Sequence, residues 1–456
     1  MRIGRLVVVF SFGIGMTFDA GATCYVNSKA IGLDDGSSWM NAYTNLQFAL
    51  LHPAKCSEIW VAKGVYKPTV GTDPTLSFYI GPGMKIYGGF DGDETEREKR
   101  EPYTNLTVLS GDIDNNDAHA ADSQIDLTWE DVQGENSYNI VTIDGTTGTP
   151  IDNETVLDGV IITGGNGGDL FDSFGGGLLC KGNGRGSACS PTLSNLIFSG
   201  NQAREGGALF NDGSSSGASH PLIVDVLFTG NVAAFGGAVF NSGYAGSSNP
   251  LIVSSTFAAN AAITGGAIQN DAREGESSPT VINATFVKNS ANEGFGGAIV
   301  NDASAAHSSS NTTLLNVTFQ GNTANDGGTI EDLGAAATAL RNVILWDDTP
   351  LEIFHGKSSP VFFIDHSVIR NGCPMSATCS MVEASDPLLS GFGNYGGRTP
   401  TVLPGAKGSA VNNGSASGCP PTDQRGIART DGQCDIGAVE WQPSDDRIFA
   451  DSFDIH

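Results

Sequence analysis

The sequence predicts an all-β fold: a single-stranded, right-handed parallel β-helix with a short N-terminal capping helix. Three observations predict it. First, one pattern recurs at intervals of about thirty residues, as FSGNQAREGGALFN from Phe198, FTGNVAAFGGAVFN from Phe228, FAANAAITGGAIQN from Phe257, FVKNSANEGFGGAIVN from Phe286 and, more loosely, FQGNTANDGGTIED from Phe319. Second, the length differences between copies gather in Ser/Gly-rich stretches such as DGSSSGASH and DASAAHSSS, as expected for one loop on one side of a stacked array. Third, the apolar runs are short, rich in Val, Ile, Thr and Phe, and bounded by Pro, Gly or Asn, which favours strands over helices.

In chain order, residues 1–22 read as a signal peptide. Arg2 and Arg5 form a basic start, residues 6–18 an apolar run, and Ala20, Gly21 and Ala22 a small-residue cleavage site. Residues 23–110 are expected to hold the N-terminal cap and first coils, with an amphipathic helix at 43–51 closing the open end of the stack. Residues 111–350 carry the coils, most regular between 191 and 332. There Pro191, Pro221, Pro250 and Pro279 each open an aliphatic run. Residues 351–440 form a separate C-terminal region, and 441–456 a polar tail without an apolar stretch.

Within the coils, parallel stacking places equivalent residues about 4.8 Å apart. Leu209, Val239, Ile268, Ile299 and Ile330 should form one internal ladder and the five Phe another. Asn201, Asn231, Asn260, Asn289 and Asn322 form a first Asn series, and Asn211, Asn241, Asn270 and Asn301 a second. A buried Asn can satisfy its amide against the rungs above and below, so both series are read as structural ladders. The paired glycines permit positive φ or close backbone approach at corners.

Composition narrows the function. The 456 residues include 61 Gly, about twice the usual share, and only 16% are charged. Fifty acidic against 23 basic residues give a net charge of −27, which argues against a nucleic-acid partner and an anionic membrane surface. Beyond the signal segment, no stretch is long and apolar enough for an integral membrane helix. Eight cysteines in an exported chain favour disulfides, and proximity suggests Cys24 with Cys56, Cys180 with Cys189, Cys373 with Cys379 and Cys419 with Cys434.

The pairing of FxxN with GGA[ILV] resembles the repeats of the polymorphic outer membrane protein family, which implies a β-helical region exposed on a cell surface. The alternating aromatic strands of that family's membrane barrel do not occupy the C-terminus. CYVNSKAIGLDDGSSWMNAYTNLQFAL, EIWVAKGVYKPT and MKIYGGFDGDETE resemble the opening of secreted bacterial right-handed β-helix proteins. DPLLSGFGNYGGRTPTVLPGAKGSAVNN and CPPTDQRGIARTDGQCDIGAVE resemble the choice-of-anchor Q domain over roughly residues 386–440, with Asn412 where that family carries Asp. The tail DDRIFADSFDIH is similar to the IFxDGFE-like endings of some Gram-negative exported proteins. Together the resemblances imply an exported protein, extracellular or on the surface of a Gram-negative-like bacterium.

For function, the reading is a non-enzymatic binding or display protein whose partner is an extracellular glycan or a surface protein. A carbohydrate-active enzyme of the polysaccharide lyase or glycosidase type is the alternative, and a purely structural stalk the third. Three co-phased carboxylates on one face beside a Lys or Arg would favour the enzyme. Between Phe198 and Asn301 the sequence shows only Asp225 within the strand runs, with Glu205, Glu274, Glu276 and Glu293 at unequal phases and Arg204 and Arg273 out of step. The seven His are scattered singly, and no hydrolase, zinc or phosphate motif occurs, so no catalytic residue is named. The one cofactor expectation is a Ca²⁺ loop in GDIDNNDAHAAD, with Asp112, Asp114, Asn116, Asp117 and Asp122 as ligands.

Overall fold

The computed structural model describes residues 22–118, 125–167, 173–355, 362–375, 377–429 and 432–445. Residues 1–21 of the expected signal segment and the tail from 446 lie outside the described residues, while Ala22 opens the first strand. The chain winds as a parallel β-helix. Each regular rung contributes strands to three stacks, and equivalent strands pair in parallel from one rung to the next. The first stack takes two short strands per rung, such as Thr192–Ser194 and Ile197–Ser199. The second takes Gln202–Glu205 and its equivalents. The third, running from Phe78–Ile80 to Ile353–His355, takes Leu209–Asp212 and its equivalents. Solenoid strands continue past residue 350, as Phe362–Ile369 and Ala377–Glu383.

Side-chain alternation explains the core. In each third-stack strand the first and third residues point inward. Leu209 and Asn211 are fully buried, and Leu209, Val239, Ile268, Ile299 and Ile330 are register partners. Phe198, Phe228, Phe257, Phe286 and Phe319 are all 0% exposed and stack with ring centroids 4.6–5.1 Å apart. Each such ring contributes about 1.5–3 kcal/mol through burial alone. The glycine pair divides its labour: Gly206 turns the corner at φ +63°, while a Cβ on Gly207 would lie 2.4 Å from the Val232 carbonyl oxygen of the next rung.

The Asn series form two buried chains of amides. In the first, each Nδ2 donates to the Oδ1 of the next rung at 2.9–3.0 Å. In the second, Asn211, Asn241, Asn270 and Asn301 do the same at 2.7–2.8 Å. Both chains end on a carboxylate: Asn322 donates to Asp348 and Asn301 to Asp332. The last member of a one-way chain only has to accept, and Asp meets that need.

The capping helix is Leu46–Leu50, shorter than the sequence suggests. Asn45 caps it by accepting from Gln47 N, and Tyr43 instead bridges to Val26. Leu46, Ala49 and Leu50 cover the first coil. All four disulfides join the cysteine pairs given above.

A feature absent from the sequence reading shapes the first stack. Each rung bends there at a residue in the left-handed conformation, between two strands at Asn195, Asp225, Ser254 and Asn342 and within one longer strand at Asn283, Asn316 and His366, with φ between 43° and 56°. Asp225 is therefore a bend residue and not part of a strand run. The segment 386–445 lies along these bends. Arg398 reaches Asn195 and Asp225, Thr399 the Ser254 carbonyl, and Thr422 O, Asp435 O and Ser415 O accept from Asn283, Asn316 and Asn342. The C-terminal region is a lateral clamp on the solenoid.

Candidate functional site

The outward residues of the third stack build a groove of about 530 Å³. Its floor comes from the second and fourth positions of each strand. The second position supplies Leu179 and Phe210, and the fourth supplies Asp144, Lys181, Asp212, Ser242 and Asp271 as consecutive register partners, with Asp302 continuing the column one rung beyond the groove. Phe174, whose ring centroid lies 4.9 Å from that of Phe210, and the half-exposed Tyr244 add aromatic surface. Glu205 enters from the second stack.

This column corrects the sequence reading. Asp212, Asp271 and Asp302 follow the ladder Asn at the strand ends, so they are co-phased on one face, with Lys181 and Arg273 beside them. Each uses one oxygen locally: Oδ1 of Asp144, Asp212, Asp271 and Asp302 accepts the N–H two residues on, at 2.8–3.1 Å. These turns end the strands and leave Oδ2 for other partners. Asp144 Oδ2 lies 4.0 Å from Lys181 Nζ. Arg273 holds Asp271 Oδ2 at 2.8 Å and approaches Asp302 Oδ2 at 3.8 Å. Glu205 pairs with Arg204 at 2.7 Å, and burial, before any charge effect, raises its pKa. Glu205 interacts electrostatically with Asp212, Asp271 and Arg273, so the two walls of the groove are coupled.

The loop expected to hold Ca²⁺ is engaged by protein donors. Asp112 is buried, with Oδ2 3.4 Å from Lys67 Nζ and Oδ1 accepting from Asn116 N. Asp114 accepts from Asn116 Nδ2 and Glu135 N, and Asp117 from Gln133 N and Asn136 Nδ2. Asp122 lies outside the described residues. Asp114 Oδ1 is buried without a hydrogen-bond partner among the described residues. Among the described residues no group of three or more His, Cys, Asp or Glu is arranged to hold a metal.

Away from the groove, burial raises several carboxyls. Asp126 is pushed up to about 8 by burial and then by Asp117, and Glu331 up to about 8 by burial. Asp348 and Glu352 are both raised by burial, Glu352 further by the Asp348 charge. A carboxyl whose folded pKa exceeds its unfolded value keeps a proton that the unfolded chain has released. Its stabilising effect is therefore lost as pH rises from about 4 toward 8. The Tm is expected to be higher near pH 5.5 than near pH 8.5. Glu331→Gln, which keeps an acceptor for Gly328 N, should narrow that gap; a Tm that rises with pH would refute the assignment.

A stack of this kind, with a lateral groove and a clamp, defines the chain as a parallel β-solenoid. Residues 195–212, from the Asn195 bend to Asp212, match the Chlamydia polymorphic membrane protein repeat. The matched stretch contains Phe198, Asn201, the glycine pair and Asn211, the residues that make one rung. No curated protein matches the chain. Among the described residues no helix is long and apolar enough to cross a membrane.

Proposed function

We propose that the protein is exported, stands in the extracellular space or on the surface of a bacterial cell, and binds an extended glycan lengthwise in the groove of the third stack. The observation that carries this reading is the groove itself: co-phased polar groups repeated once per rung beside Phe174, Phe210 and Tyr244. Sugar rings need such a combination, apolar faces against aromatic surface and hydroxyls against fixed polar groups. Four disulfides, the signal-like N-terminus and the surface-protein repeat support export. Acidic groups outnumber basic ones along the groove, so a polyuronate would be repelled, which weighs against a uronate lyase. The co-phased Asp212, Asp271 and Asp302 beside Lys181 and Arg273, together with Glu205, support a second reading, glycoside hydrolysis, because a carboxyl with a raised pKa near other carboxylates is the form a general acid takes.

A glycan array probed with the mature protein, with and without Ca²⁺, tests the binding reading. Tyr244→Ala should weaken binding about tenfold, or about 1.4 kcal/mol. New reducing ends in the bound fraction would establish hydrolysis. Binding to no glycan class would sink the groove reading and leave the structural stalk.

A further inference from the structure

We infer that the groove selects glycans carrying protonated amino groups, and that Asp212 is the residue that reads the amine. This rests on the glycan reading above and adds the ligand's charge. Most carboxylates of the column are already matched. Asp144 has Lys181, Asp271 and Asp302 share Arg273, and Glu205 has Arg204. Asp212 differs: Oδ1 accepts from Ser214 N, while Oδ2 meets no donor or cation among the described residues.

The next rung supplies a second, independent observation. Ser242 is 7% exposed, lines the groove between Asp212 and Asp271, and its hydroxyl makes no hydrogen bond among the described residues. A nearly buried hydroxyl left without a partner, opening toward a groove, is what a ligand hydrogen bond would complete. An unmatched carboxylate and an unbonded hydroxyl thus stand on adjacent rungs of one column, with Phe210 two residues before Asp212 in the lining of the same groove.

An ammonium group answers all three. Two of its N–H donors can go to Asp212 Oδ2 and Ser242 Oγ, and its charge offsets the unmatched carboxylate in a partly desolvated site. A neutral N-acetylated sugar keeps the ring contacts and one hydrogen bond but does not neutralise Asp212. A uronate brings like charge to a carboxylate with no cation of its own.

The test compares three probes of equal length by calorimetry: a glucosamine hexamer, an N-acetylglucosamine hexamer and a galacturonate hexamer. The glucosamine hexamer is expected to bind at least tenfold tighter than the N-acetylated one, with the difference shrinking as salt rises. Asp212→Asn preserves the turn acceptor for Ser214 N and should abolish this preference, so that the amine and N-acetylated probes bind the variant with equal affinity. That pattern separates recognition by Asp212 from general attraction to an acidic protein. Equal or weaker binding of the amine, or a preference that survives Asp212→Asn, overturns the inference while the glycan reading stands. Binding of none of the three overturns both.

Discussion

Asn260→Ala is expected to destabilise the protein by about 3–5 kcal/mol, seen as a lower denaturant midpoint with an unchanged strand signature. Asn260 is 0% exposed at the middle of its ladder. Its Nδ2 donates to Phe228 O and Asn289 Oδ1, both at 3.0 Å, and its Oδ1 accepts from Asn231 N and Nδ2. Alanine removes all four bonds and strands donors and acceptors on two neighbouring rungs where no solvent reaches. Asn260→Asp is expected to be at least as damaging, because a carboxylate cannot donate to Phe228 O or Asn289 Oδ1. Yet Asp348 and Asp332 are native at the ends of the two ladders. The contrast lies in direction: every interior member must donate onward, and the terminal one need only accept. A loss below about 1 kcal/mol would show that water or a relaxed backbone replaces the amide and that the ladder is not a stabilising unit.

The same ladder shows why part of this molecule was readable from sequence. A solenoid turns a period in sequence into contact in space, so Phe198 meets Phe228 and Asn201 meets Asn231 because each is one period from the next. Anything repeated in every rung is legible in this way. The groove column was not, for three reasons. Asp212, Asp271 and Asp302 sit beside loops of varying length and look like loop residues, and Ser242 interrupts the series. Its Lys181 also belongs to a rung outside the regular repeats. A further signal was available: ND begins two residues after the ladder aliphatic in three of the copies, which places the Asp next to its ladder Asn at the same phase. Glu205 reaches the groove because the chain turns a corner at Gly206, a juxtaposition that periodicity does not report. The clamp was least legible. Its contacts pair residues far apart in sequence, such as Asn283 with Thr422, and no local pattern encodes them. The DQRG and CDIGAVE segments were recognisable as motifs, while their work as a latch emerges only from the folded arrangement.

That latch sets the second large effect. Arg425→Ala is expected to cost about 3–5 kcal/mol and to release the C-terminal segment from the solenoid. The Arg425 side chain is 0% exposed, with Nε to Asp423 at 3.0 Å, Nη1 to Asp445 at 2.9 Å and Nη2 to the Glu440 carbonyl at 2.7 Å. Truncation leaves Asp423 and Asp445 buried without their cation, which costs far more than the pair contributes while intact. Beside it, Gln424 spans two rungs, with Oε1 at 2.6 Å from Thr285 Oγ1 and Nε2 donating to Thr256 Oγ1 at 2.8 Å. Once Arg425 no longer fixes the loop, that contact and those to Asn283 and Asn316 have nothing to hold them in register. Limited proteolysis should then cut between 386 and 445 while circular dichroism keeps the strand signal, since each rung is stabilised chiefly by its neighbours. Arg425→Lys, which keeps the charge but loses the planar fork, should fall between the two. If Arg425→Ala instead unfolds solenoid and segment in one step, the clamp is part of the cooperative core, and the buried bend residues depend on it as much as it depends on them.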